Sequence, residues 1–60
     1  MKFITVHQIF MDQPTMVNTS LIAMVEGTSY APATLVFGTR FKVHLRETVM
    51  EVLKLIEAVQ

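Results

Sequence analysis

The stretch Arg40-Phe41-Lys42-Val43-His44-Leu45-Arg46-Glu47-Thr48-Val49-Met50-Glu51-Val52-Leu53 carries the change of period that decides the fold. Up to Arg46, the apolar residues Phe41, Val43 and Leu45 alternate with Arg40, Lys42, His44 and Arg46, the two-residue rhythm of a strand with one dry and one wet face. From Thr48 onward Val49, Val52, Leu53, Ile56 and Val59 recur at helical spacing. Thr48 and Glu51 stand where a capping box requires them, the threonine accepting from an early helical N–H and the glutamate reaching back to the cap. The pattern predicts a helix over 49–59, with Val49, Val52, Leu53, Leu55, Ile56 and Val59 in one sector and Glu51 and Lys54 opposite, spaced to pair at i,i+3.

Upstream of the switch, the chain reads as extended segments separated by turn chemistry. Strands are expected at about 2–10, 15–18, 21–26, 34–37 and 40–45. In the first, Ile4 and Val6 lie on one face and Phe3 and Thr5 on the other, so both faces are expected to be partly covered. Asp12-Gln13-Pro14 supplies a turn, because proline fixes its own φ and pushes Gln13 toward extended geometry. Asn18-Thr19-Ser20 favours a turn or a single capped helical turn, since these short polar side chains bind nearby backbone groups. Residues 27–33, with Gly27, Ser29 and Pro32, form the longest and most mobile loop expected.

The last hairpin poses a register question. A two-residue Gly38-Thr39 loop suits a type II′ turn with φ above zero at the glycine, and it sets Phe37 opposite Arg40 and Leu35 opposite Lys42. A loop of three or four residues pairs the apolar rows better. Both remain open from the sequence.

Composition bounds the rest. Sixty residues make a single domain, 1–60, whose core is marginal alone, and the chain has no cysteine to staple it. Apolar residues make up 52% and charged residues 17%, so apolar surface is left over, and oligomerisation is the expected support. Phe3, Phe10 and Met50 are the candidate contacts between subunits. Five basic residues balance five acidic ones, which gives no long-range field for a polyanion. After Met1-Lys2, the apolar residues are interrupted by Thr5, His7 and Gln8, unlike a signal peptide. The longest apolar run, residues 21–25, is far short of the roughly 20 residues of a membrane span. A soluble cytoplasmic protein is expected.

Resemblance enters on assembled positions. Val17-Asn18, Leu21-Ile22, Val25-Glu26, Thr34-Leu35-Val36, Gly38, Phe41-Lys42-Val43, Arg46-Glu47-Thr48 and Glu51-Val52 with Ile56 resemble the FlbD-like family of small flagellar and swarming-motility proteins. Met11-Asp12-Gln13-Pro14 stands where that family usually carries a glycine in its first hairpin. The resemblance implies a non-enzymatic accessory protein acting through partners, with no known catalytic residues to carry over, and a bacterial or phage origin is expected.

Chemical motifs are sparse. His7 and His44 lack cysteine partners and H-x-x-x-H spacing, so no metal site is expected. Asp12, Glu26, Glu47, Glu51 and Glu57 are scattered, and no phosphate loop, dinucleotide turn or nucleophile elbow is present. Neither a cofactor nor catalysis is expected. Arg40, Lys42, His44 and Arg46 are different, because alternation places them on one strand face at about 6.6 Å intervals, near the spacing of nucleic-acid phosphates. The competing interpretation is a solvated row that discourages edge pairing. The leading expectation is a small α+β module, an antiparallel sheet of three or four strands with one C-terminal helix packed on it. It would act as a homo-oligomeric protein interaction module, and nucleic-acid binding through the basic row is the alternative.

Overall fold

The computed structural model describes residues 2–38 and 40–60. Five strands and one α-helix form among them: β1 Phe3–His7, β2 Pro14–Asn18, β3 Ile22–Glu26, β4 Ala33–Phe37, β5 Lys42–Leu45 and α1 Val49–Val59. The fold is α+β, with the C-terminal helix packed on antiparallel sheet. The strands divide between a β1-β2 hairpin and a three-stranded sheet in the order β3-β4-β5.

Hydrogen bonding joins the two sheets at one corner. Ile9 N donates to His44 O at 3.0 Å and Arg46 N to His7 O at 2.8 Å, flanking a bridge between Gln8 and Leu45. The layer therefore runs β2-β1-β5-β4-β3, leaving β2 and β3 at its margins. Its inner face carries Ile4, Val6, Val17, Ala33, Leu35 and Leu45, which close around Val52 of the helix. β1 is fully buried on that face, at Ile4 and Val6, and only partly covered on the other, where Thr5 is exposed, Phe3 is 41% exposed and His7 is half-buried. The helix lies on the Ile4 and Val6 side; on the other side, among the described residues, the 27–33 loop lays Tyr30 against His44 beside the buried Thr34.

Local chemistry explains the joints. Asn18 caps the short 3-10 turn Thr19–Leu21, its side chain accepting from Ser20 N at 3.0 Å. In the 27–33 loop, Thr28 Oγ1 donates to Ala31 O at 3.2 Å and accepts from Ala31 N at 3.1 Å, and Ala31 is buried beneath it. At the helix start, Glu51 N donates to Thr48 Oγ1 at 3.1 Å and Thr48 N donates to Glu51 Oε1 at 2.8 Å, completing the capping box. Glu51 thus has its carboxylate directed at the cap rather than at Lys54.

The last hairpin corrects the two-residue turn. The pairs Leu35↔Val43 and Val36↔Lys42 leave residues 38–40 as the connection, with Arg40 N donating to Phe37 O at 3.2 Å and Phe37 N to Phe41 O at 2.8 Å. Positive φ falls on Arg40, at 76°, and not on Gly38. Thr39, the second residue of the expected turn, lies outside the described residues. Apolar pairing decides the register: Leu35 meets Val43 instead of a lysine, and a three-residue loop with its last residue left-handed is the next commonest way to close a hairpin.

Candidate interaction surface

The uncovered part of the inner face follows from length. Eleven helical residues reach about 16 Å, and α1 starts beside Gly27, where Val49 Cγ2 is 3.8 Å from the place a Cβ would occupy. The helix thus begins at the Glu26 end of β3. At the opposite end of that strand, an open apolar groove runs between Leu21, Ile22, Ala23, Phe37 and Phe41, and a smaller one continues past Val17 and Val43. Leu21 and Phe41 are each 62% exposed, and the Phe37 and Phe41 rings lie 5.7 Å apart across the hairpin. Phe41 does share the dry side of its strand with Val43 and Leu45, as the alternation indicates. The short helix simply does not reach it. Leu21 was not singled out by the sequence, although comparing an 11-residue helix with the length of the hairpin would have pointed to this end.

The three expected subunit contacts do not converge. Phe3 faces away from the core side of β1, Phe10 is 93% exposed beyond the other end of that strand, and Met50 is 63% exposed on the first turn of the helix. Leu53, expected in the packed sector, is instead 42% exposed, because it sits at the margin of the wheel, one turn from Met50.

The basic row is likewise divided. Arg40 precedes β5 in the left-handed position, so the strand carries Lys42 and His44, with Arg46 just beyond its end. Lys42 Nζ lies 3.7 Å from Glu26 Oε1. His44 Nδ1 shares a 2.9 Å hydrogen bond with the buried Thr34 hydroxyl, and its ring meets Tyr30 edge-on at 4.9 Å. Arg46 donates to Met11 O at 2.9 Å and Ile9 O at 3.4 Å, holding the β1–β2 turn, with Asp12 3.8 Å away. Carboxylates therefore stand beside two of the three cations, and Arg40 enters no ion pair among the described residues.

One polar pair clasps the joint between the sheets. Glu47 accepts from His7 N at 2.9 Å through one oxygen and from His7 Nδ1 at 2.6 Å through the other. An ionised carboxylate only accepts, so Nδ1 carries the proton. Burial works to raise the Glu47 pKa, but the His7 ring, the His7 backbone N–H and Glu47's own N–H together outweigh it and hold the carboxyl below its ordinary value. His7 and His44 thus lie on adjoining strands with each Nδ1 turned to a different partner, and no group of three metal-ligating side chains occurs among the described residues.

No protein family model, curated protein or solved structure matches this chain. Among the described residues, no helix is long and apolar enough to cross a membrane.

Proposed function

We propose that this chain is a non-enzymatic, cytoplasmic interaction module that works by associating with further copies of itself. The observation that carries the reading is the amount of large apolar side chain left outside the core: Phe3, Phe10, Met11, Met16, Leu21, Met24, Tyr30, Phe41, Met50 and Leu53 are all exposed in a body of 60 residues. Single exposed apolar residues are ordinary on any protein. Here they include a contiguous groove on the inner face, next to a core that a domain of this size can barely sustain alone. The zero net charge imposes little mutual repulsion on approaching copies. The resemblance to the FlbD-like family supports the same kind of accessory role, within motility.

Sedimentation velocity across a concentration series tests the reading. Mass above that of one chain at micromolar to millimolar protein is expected, whereas a single monomer boundary throughout would defeat it. The nucleic-acid alternative gains nothing from the basic strand, since Lys42 and Arg46 lie beside Glu26 and Asp12. Salt-sensitive binding to single- or double-stranded DNA or RNA, weakened together by Arg40→Ala and Lys42→Ala, would restore it.

A further inference from the structure

We propose that the groove between Leu21, Phe37 and Phe41 receives the exposed flank of α1 from a second copy of this chain, with Glu57 of one copy meeting Arg40 of the other. The inference rests on the self-association proposed above and assigns it two surfaces. Both lie on the same side of the molecule, since the helix and the groove occupy different parts of the inner face. The helical period places Leu53 in the packed sector, yet it is 42% exposed, and Met50, one turn earlier, is 63% exposed. Met50, Leu53 and Glu57 follow one another at i, i+3 and i+7, the spacing of a single stripe along a helix. None of the three is buried by its own chain.

The groove matches that stripe in length, polarity and charge. It crosses three strands, from Ile22 on β3 past its partner Phe37 on β4 to Phe41, whose carbonyl accepts from Phe37 N at 2.8 Å. Two strand spacings make about 10 Å. Met50 to Glu57 is a rise of seven helical residues, also about 10 Å. Arg40 stands at the Phe41 end and enters no ion pair among the described residues. Its φ of 76° is a strained setting of the kind that persists at functional positions. A helix laid across the strands with Met50 toward Leu21 and Leu53 over Phe37 brings Glu57 to Arg40, the helix-in-groove mode with anchors at i, i+3 and i+7. The reverse direction would set the Glu57 carboxylate among Leu21 and Ile22, where nothing compensates its lost hydration. One chain thus carries both halves of the match, which makes a second copy the occupant.

The size of the contact selects a reciprocal arrangement. About a two-fold axis, the helix of each copy fills the groove of the other, so every contact is made twice. Leu21 and Phe41 are each 62% exposed, and Met50 and Leu53 add their own exposed area. At roughly 150–200 Å² for each large side chain, covering these four in both copies removes roughly 800 Å². The rest of the groove, with Arg40 and Glu57, brings the total to roughly 1,200 Å², the lower limit for a specific interface. A one-way contact would bury half of this and fall below that limit. A reversible dimer with a dissociation constant of about 1–100 μM is expected.

Exchanging the charges tests the pairing. Arg40→Glu sets two carboxylates together in both contacts, and Glu57→Arg sets two cations together. Each variant alone should weaken association about tenfold in sedimentation velocity while leaving the circular dichroism unchanged. In a mixed dimer of the two variants every contact again joins a carboxylate to a guanidinium, so an equal mixture should regain association close to that of the wild-type chain. Leu53→Glu should weaken association at least about tenfold, whereas Met24→Gln, on the opposite face of the sheet, should leave it unchanged. Association indifferent to either charge reversal or to Leu53→Glu, a mixture no stronger than its parts, or a loss through Met24→Gln would overturn the docking while leaving self-association standing. A wild-type chain that is monomeric throughout would remove both.

Discussion

Arg40 occupies a conformation that residues other than glycine and asparagine seldom adopt, because a Cβ crowds the following carbonyl at positive φ. The hairpin imposes this: a three-residue connection that keeps Leu35 against Val43 needs its last residue left-handed. Arg40→Gly relieves the crowding and should raise the unfolding free energy by about 1 kcal/mol, read from urea denaturation. Glu47 illustrates a different residue-scale effect. Its folded-state pKa lies below the ordinary value of 4.5, so its contribution to stability is complete above that value and is lost as pH falls through the depressed one. Urea midpoints measured from pH 6 down to pH 3 should therefore fall more steeply for the wild-type chain than for Glu47→Gln, which starts lower and lacks that acid-labile share.

Among the elements, the helix offers the sharpest contrast. Val52 is fully buried while its neighbour Leu53 lies largely outside the contact. Val52→Ala should cost about 2 kcal/mol, the worth of one fully buried valine, and Leu53→Ala well under 1 kcal/mol, although leucine loses the larger side chain. Thr48→Ala removes the acceptor for Glu51 N and should cost about 1 kcal/mol, with a loss of helical signal in circular dichroism. The start and the buried face of this helix were legible, because a capping box and a 3.6-residue period are local properties. The hairpin before it was legible as two strands but not in register. The choice between a two- and a three-residue loop depends on which rows meet, and only pairing decides that.

At the scale of the whole molecule, a 60-residue chain is expected to have only about 3–9 kcal/mol of stability, so one large core truncation can unfold it. Leu35→Ala, at the fully buried centre of β4, should remove about 2–5 kcal/mol and leave little folded protein at 37 °C. If copies associate, folding and assembly are linked by mass action. The thermal midpoint of the wild-type chain should then rise with protein concentration, and a midpoint that does not change over a roughly hundredfold concentration range would count against self-association.

The sequence by itself determined the α+β class, the C-terminal helix with its cap, the turn at Asn18 and the surplus of apolar side chains, all of which follow from period, local hydrogen bonding and composition. Tertiary structure alone decided that the strands divide between two sheets joined at Gln8 and Leu45, that Glu47 clasps His7 from 40 residues away, and that Leu21 and Phe41 lie outside the helix's reach. The physical reason is range. A residue's period and caps are set by its near neighbours in the chain, whereas which edges meet and how far an 11-residue helix extends over them depend on contacts between segments that the sequence keeps far apart.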